Sequence, residues 1–238
     1  MSELAGRTAV VTGASRGIGL EIARVLTAAG MQIALLARSE SDLRARAAEL
    51  GTLAVPFPCD VANADAVRRV SERVMTVFGG PPDAIVNNAG LFTLASVDLT
   101  DPRDFRDMID VNLIAPFLVV QAFLGAMRTR KRGHIVTIGS VADRMTFPEN
   151  SAYAASKFGL RAFHEVLRAE MRGSGIRATL VSPGPVDTSL WDGIDLDARP
   201  AFTPRSQMLP PIAVAQAVLF ALGQPAAVNV DELRLSRS

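Results

Sequence analysis

The chain has 238 residues, 25 Lys or Arg against 24 Asp or Glu for a formal net charge of +1, and 49% hydrophobic residues with only 5% aromatic. That balance, with no basic stripe, gives no field for gripping nucleic acid, and no apolar run approaches the roughly 20 residues of a membrane span. The lone cysteine, Cys59, excludes an intrachain disulfide and a cysteine cage for a metal, and it reads as a small buried apolar residue. The amino end, MSELAGRTAV, carries no apolar leader, so the expectation is a soluble, cytoplasmic protein.

β-rich apolar runs alternate with helical periodicity along the whole chain. Residues 7–12 read as a first strand, followed by TGASRGIG (12–19) and a helix over 18–29. A second strand is expected at 32–37, a helix at 42–50, a third strand at 53–58, a helix at 65–78 and a fourth strand at 84–87. A long helical pattern begins near Pro102 and closes on the basic residues Arg128, Arg130, Lys131 and Arg132, where cations offset the helix dipole. Strands at 134–138, 177–181 and 229–235 complete the set. Such alternation implies an α/β fold: a single-domain, doubly wound (Rossmann), mostly parallel seven-stranded sheet with helices on both faces, spanning 1–238. Residues 183–211 break the rhythm with Pro183, Pro185, Pro200, Pro204, Pro210 and Pro211, and read as a mobile cover over a site, centred on about 186–210.

In a doubly wound sheet the turn after the first strand faces the carboxyl edge, where the next helix aims its free N–H groups at a ligand. Gly13 and Gly17 let that backbone turn and approach a pyrophosphate, and Gly19 lets the helix pack on the strands; the spacing G-x-x-x-G-x-G differs from the commoner G-x-G-x-x-G. An ordinary glycine-rich turn also accounts for the letters. The second strand ends LLARSES, putting Arg38 where an acid would hold a ribose 2′-hydroxyl, with Arg16 in the glycine loop. Two guanidinium groups there favour NADP over NAD; the bland alternative is two solvated surface arginines.

SAYAASKFG places Tyr153 and Lys157 four residues apart on one helical face. A phenol ionises near pH 10, so an acid/base useful at neutrality needs its acidity raised by about three units, and a neighbouring ammonium works in that direction. The expectation is a Tyr153 hydroxyl made more acidic by Lys157, although the spacing alone also fits an unremarkable helical pair. Tyr153 is the only tyrosine in the chain.

TGASRGIG, CDV (59–61), NNAG (87–90), Asn112, Ser140, YAASK and PGPVDT (183–188) occur in this order, and together they resemble the short-chain dehydrogenase/reductase family in its compact form. The resemblance implies a catalytic tetrad of Asn112, Ser140, Tyr153 and Lys157, with Tyr153 as acid/base, Ser140 polarising the substrate oxygen and Lys157 also holding the nicotinamide ribose. It places NADP(H) against Gly13, Ser15, Arg16, Gly17, Ile18 and Gly19, with Arg38 and Ser39 after the second strand. Asp60 and Val61 then contact adenine, Asn87, Ala89 and Gly90 border the cofactor, and Pro183, Gly184, Val186 and Thr188 meet the nicotinamide end. Pro116, four residues after Asn112, has no N–H to give, which frees the Asn112 carbonyl for a relay water or simply kinks the helix.

Ser140 lacks the G-x-S-x-G context of a hydrolase nucleophile, and His134 and His164 read as structural, with no zinc site. Phe92, Met145, Phe147, Leu190, Trp191 and Met208 are the expected apolar pocket contacts for a moderately hydrophobic carbonyl compound or alcohol, while Arg144 reads as one half of an exposed ion pair rather than a carboxylate binder. Ala154, Ala155, Gly159 and Ala162 are small enough for close helix packing, and the family pairs through this helix, implying a homodimer or homotetramer. The expected function is an NADP(H)-dependent oxidoreductase; the alternatives are a non-catalytic NADP-sensing regulatory protein, or an isomerase or dehydratase on the same scaffold.

Overall fold

The computed structural model describes residues 4–196, 198–199 and 202–238; Pro200, expected in the cover segment, lies outside them. In chain order the strands are β1 (Thr8–Thr12), β2 (Gln32–Ala37), β3 (Ala54–Pro58), β4 (Ala84–Asn87), β5 (Gly133–Ile138), β6 (Ile176–Pro183) and β7 (Glu232–Leu235). The helices are α1 (Gly17–Ala28), α2 (Glu40–Leu50), α3 (Ala64–Phe78), α4 (Pro102–Ile109), α5 (Ala115–Arg130), α6 (Ser151–Glu170) and α7 (Pro211–Leu222). They form one seven-stranded sheet of order β3-β2-β1-β4-β5-β6-β7. Every pairing is parallel, so the sheet expected to be mostly parallel is parallel throughout.

Successive strand residues point to opposite faces, so nearly every strand position is apolar and each face acquires its own core. Val11, Leu35, Val86, Val136 and Val181 meet Ile22 and Leu26 of α1 and Val214 and Val218 of α7 on one side. Val10, Leu36, Ile85 and Ile135 meet Val67 and Val70 of α3, Val119 and Phe123 of α5 and Leu167 of α6 on the other. Strand order reverses between β1 and β4, which opens a crevice at the carboxyl ends of the strands.

Local chemistry sets the helix starts. Ser39 accepts the Asp42 N–H (3.2 Å) to begin α2, Asn63 accepts the Ala66 N–H (2.9 Å) to begin α3, and Asp101 accepts the Arg103 N–H (2.7 Å) ahead of Pro102. Pro116 interrupts the next ladder, and residues Asp110–Ile114 take a π-helical turn between α4 and α5. The continuous helical stretch Pro102–Arg130 has 29 residues and is long and apolar enough to cross a membrane by composition, contrary to the expectation that no segment approached this. Val119, Val120, Phe123 and Met127 are buried in the core. The basic cluster at its end does more than offset a dipole: Arg130 donates to the carbonyls of Pro81 and Pro82 (both 2.7 Å), and Arg132 reaches Asp83 at 2.6 Å.

β7 begins three residues later than the pattern suggested. Asn229 imitates a strand peptide with its side chain instead, accepting from the Ala178 N–H and donating to the Ala178 carbonyl, each at 3.0 Å. The 183–211 segment contains two short 3-10 turns, Ser189–Trp191 and Arg205–Gln207, and its ends are tied by a parallel bridge between Val186 and Leu209.

Candidate active site

A cleft of about 510 Å³ runs along the carboxyl edge of the sheet. Of the residues expected to hold a dinucleotide, Gly13, Ser15, Arg16, Gly17, Ile18, Arg38, Ser39, Asp60, Val61, Ala89, Gly90, Pro183, Gly184, Val186 and Thr188 line it, as do Ser140, Tyr153 and Lys157. Gly19, Asn87 and Asn112 do not. Met145 and Met208 also lie off the lining, correcting their assignment to the pocket: Met145 points outward at 52% exposure, and Met208 is buried.

The glycine loop is built for close approach. Gly13 has φ +67°, and a Cβ on it would stand 2.9 Å from the Ala89 Cα. A Cβ on Gly19 would stand 2.2 Å from the Gly13 carbonyl oxygen, so Gly19 is needed for the first turn of α1 to lie against the loop rather than for contact with the cleft. Asn88, which sequence reasoning passed over inside the NNAG motif, fastens the β1 and β4 ends together: its Nδ2 donates to the Thr12 carbonyl (2.9 Å) and its N–H to Thr12 Oγ1 (2.9 Å). Arg16 and Arg38 line the cleft with Asp42 and form no ion pair among the described residues. Arginines on α1 and α2 near them, Arg24 and Arg44, are both paired with glutamates. This pocket of glycine backbone and unpaired guanidinium groups fits a phosphorylated dinucleotide.

At the opposite end Tyr153 and Lys157 project from the first turns of α6, with Lys157 Nζ 5.6 Å from the Tyr153 ring centre. Lys157 is buried, and its ammonium donates to the Ile138 carbonyl at 3.1 Å. Burial holds this ammonium down to about 8, against the opposing pull of Asp143. Burial pushes the Tyr153 phenol up to about 12; a hydrogen bond with Ser140 works the other way, and Asp143 adds to the rise. The expected acidification by Lys157 is therefore corrected: in the protein's own field the hydroxyl is a firmly protonated phenol.

Ser140 caps the 3-10 turn Val141–Asp143 that follows β5, accepting the Ala142 N–H at 3.1 Å. Asn112 is fully buried in the π-helical turn. Its Oδ1 accepts the Leu91 N–H (2.7 Å), and its Nδ2 donates to the Leu91 carbonyl (2.9 Å) and to Ser156 Oγ (3.0 Å). Ser156 Oγ in turn donates to the Tyr153 carbonyl at 2.7 Å. Asn112 thus binds the segment after NNAG to the helix turn that carries Tyr153.

Phe92 packs edge-on against Tyr153 (ring centres 4.7 Å apart) and against Trp191 (4.9 Å), and Trp191 Nε1 donates to the Val186 carbonyl at 3.0 Å. Phe147, Leu190 and Phe202 complete an apolar wall. Arg144 is not the exposed partner expected; it is half-buried, donating from Nε to Asp143 at 2.7 Å and pairing with Glu232 of β7. His134 and His164 are buried beside Thr179 (2.7 Å) and Thr137 (2.9 Å), away from the cleft, as structural residues. Cys59, unlike them, lines the cleft although only 6% exposed, and burial, with Asp60, pushes its thiol up to about 11.

The family model for short chain dehydrogenases matches residues 7–198. An uncharacterized oxidoreductase of Staphylococcus saprophyticus is 33% identical over 237 residues, covering 98% of both chains. A dehydrogenase/reductase SDR family member 7B of Bos taurus is 34% identical over 230 residues, 90% of this chain and 70% of that one. Among solved structures, a metagenomic short-chain oxidoreductase in complex with NADP superposes with a TM-score of 0.85 at 32% identity, covering 100% of this chain and 99% of that one. An alcohol dehydrogenase of Thermococcus sibiricus complexed with 5-hydroxy-NADP gives a TM-score of 0.87 at 32% identity, covering 96% and 95%.

Proposed function

The chain belongs to the short-chain dehydrogenase/reductase family, an oxidoreductase family, and from that premise we propose that it interconverts a ketone or aldehyde with an alcohol using NADP(H). The observation that carries the reading is one cleft with Arg16 and Arg38 unpaired at one end and Tyr153, Ser140 and Lys157 together at the other. The structures of two relatives hold NADP or its 5-hydroxy form, which supports the same cofactor here.

When bound, the nicotinamide supplies or receives the hydride. Gly13 and Gly17 give the pyrophosphate room, the N-terminus of α1 attracts its charge, and Arg16 and Arg38 hold the 2′-phosphate. Tyr153 exchanges the proton with the substrate oxygen, and Ser140 Oγ orients that oxygen. The neutral phenol enforced by burial is the donor form that carbonyl reduction requires. Lys157, held at about 8 beside it, gives the alcohol-oxidising direction a nearby charge as the phenol loses its proton. Phe92, Phe147, Leu190, Trp191 and Phe202 favour an uncharged, apolar substrate, and Arg144 is engaged by Asp143 and Glu232 rather than available for a carboxylate. Phe105, Ile114, Phe117 and Phe158, exposed on α4, the π-helical turn, α5 and α6, support pairing of two chains through these helices.

The test is NADPH absorbance against a broad panel of carbonyl compounds, with Tyr153→Phe in parallel. Turnover by the parent and a loss on the order of a hundredfold or more in the variant supports the reading. NADPH binding with no turnover of any compound overturns it in favour of a sensor. Arg38→Asp is expected to weaken NADPH more than NADH, and a parent that prefers NADH refutes the cofactor assignment.

A further inference from the structure

We infer that Asp143 is a positioning residue for the Tyr153–Ser140 pair, its buried carboxylate locking the turn that presents Ser140 to the helix carrying Tyr153. The inference rests on the function proposed above.

Ser140 and Tyr153 stand on different elements, the turn after β5 and the start of α6, so their approach depends on what joins those elements. Asp143 is 1% exposed, and its carboxylate is surrounded by donors from three directions. Its Oδ2 accepts from Ser182 Oγ of β6 at 2.5 Å and, more weakly, from the Ser140 N–H at 3.4 Å, which closes a capping box around the turn. Its Oδ1 accepts from Arg144 Nε at 2.7 Å and faces Arg161 Nη1 of α6 at 3.6 Å. Arg161 also pairs with Glu165 at 2.9 Å and Glu232 at 3.7 Å, and Arg144 reaches Glu232. The turn, α6 and β6 thereby meet at the Asp143 carboxylate, and Arg144 and Arg161 carry the network on to Glu232 of β7.

Space has been kept for it. A Cβ on Gly139, the residue before Ser140, would stand 2.7 Å from Asp143 Oδ2 and 2.9 Å from Ser182 Oγ. The glycine makes room for a polar network where an apolar plug would otherwise complete the core. Ser182, the Ser140 N–H and Arg144 donate to the carboxylate while Arg161 Nη1 is left without a hydrogen-bond partner, a cost that points to a positional task rather than to stability.

The charged and titratable groups around Asp143 are Arg144 beside it, Arg161, Glu165, Tyr153 and Lys157 on α6, and Glu232 on β7. His164, on α6 near Arg161 and Glu232, is held down to about 4 by burial and stays neutral. Burial is the main cause that keeps the proton on the Tyr153 phenol, and within this set Asp143 adds to it while favouring a charged Lys157.

Asp143→Asn keeps the volume and one acceptor while removing the charge. In carbonyl reduction it is expected to lower kcat on the order of tenfold, with KM and NADPH affinity unchanged within about twofold, because a small misplacement costs rate rather than binding. The limb of the pH profile on which activity falls with rising pH is expected to move to lower pH. A kcat within about twofold of the parent overturns the inference, as does an unmoved limb. Should the variant not fold, Ser182→Ala removes the 2.5 Å hydrogen bond to Asp143, with a weaker one accepted from Arg144 at 3.3 Å, and leaves the carboxylate in place; an unchanged kcat there overturns it equally. If the parent turns over no carbonyl compound, the proposed function fails by itself. The inference is then read from ultraviolet absorbance of tyrosinate, unambiguous because Tyr153 is the sole tyrosine. A lower midpoint in Asp143→Asn supports it and an identical midpoint overturns it.

Discussion

Acidification from pH 7.5 to 5 is expected to cost the fold about 4 kcal/mol through two histidines. His134 and His164 are 2% and 1% exposed, and each has one ring nitrogen bound to a threonine and the other without a partner. Burial, with Arg177 and His164 adding to it, holds the His134 ring down to about 3, and burial with Arg168 holds His164 down to about 4, against an ordinary 6.5. Both folded values lie below the unfolded one, so the native state prefers the neutral rings. Their contribution is whole above pH 6.5 and is lost as the pH falls toward the folded values. At pH 5 the unfolded chain carries both protons and the native chain almost none, which at about 1.36 kcal/mol per pH unit amounts to about 2 kcal/mol for each ring. Urea unfolding across this range measures the loss directly. The double variant His134→Asn/His164→Asn is less stable at pH 7 but is expected to lose about 4 kcal/mol less between pH 7.5 and 5. An unchanged loss in the double variant would refute the reasoning, since carboxylates held down like Asp83 give up their contribution only at lower pH.

Gly19→Ala drives a methyl to 2.2 Å from the Gly13 carbonyl oxygen, and is expected to reduce NADPH affinity by on the order of a hundredfold in a binding titration while the chain still folds at a cost of about 1–3 kcal/mol. Asn112→Ala strips the Leu91 peptide and Ser156 of their partners; a loss of about 3 kcal/mol in urea unfolding is expected, together with a fall in activity. Cys59, buried and held up to about 11, is expected to resist alkylation at pH 8 until the chain unfolds, and labelling at the rate of a free thiol would contradict its placement.

Much of this architecture was legible because parallel strands and amphipathic helices write their pattern into contiguous residues. β2 and β4 fall at the expected bounds, and the other strand edges move by one to three residues. The site's backbone contributors were legible for the same reason, being short runs at strand ends. What could not be read is what depends on contacts across the fold. The acidity of Tyr153 is governed by burial and by Asp143 ten residues away, neither of which shows in the i, i+4 spacing to Lys157. Met145 and Met208 looked like Phe147 and Leu190 in sequence, and only the path of the 3-10 turns turns one outward and the other into the core. Asn88 sat between motif residues with nothing to mark its double bond to Thr12 and Gly13.

The π-helical turn at Asp110–Ile114 makes this helix intolerant of length change, unlike an ordinary surface loop. Excising one residue there would restore a plain α ladder with α4 and α5 still in register, because a π turn holds one residue more than an α turn, and the widened turn that seats Asn112 would be lost. Asn112 would then swing off Ser156 while Val119 and Phe123 stayed seated in the core. Insertions and deletions among natural variants should therefore collect at the segment 91–100 or the cover and spare these five positions.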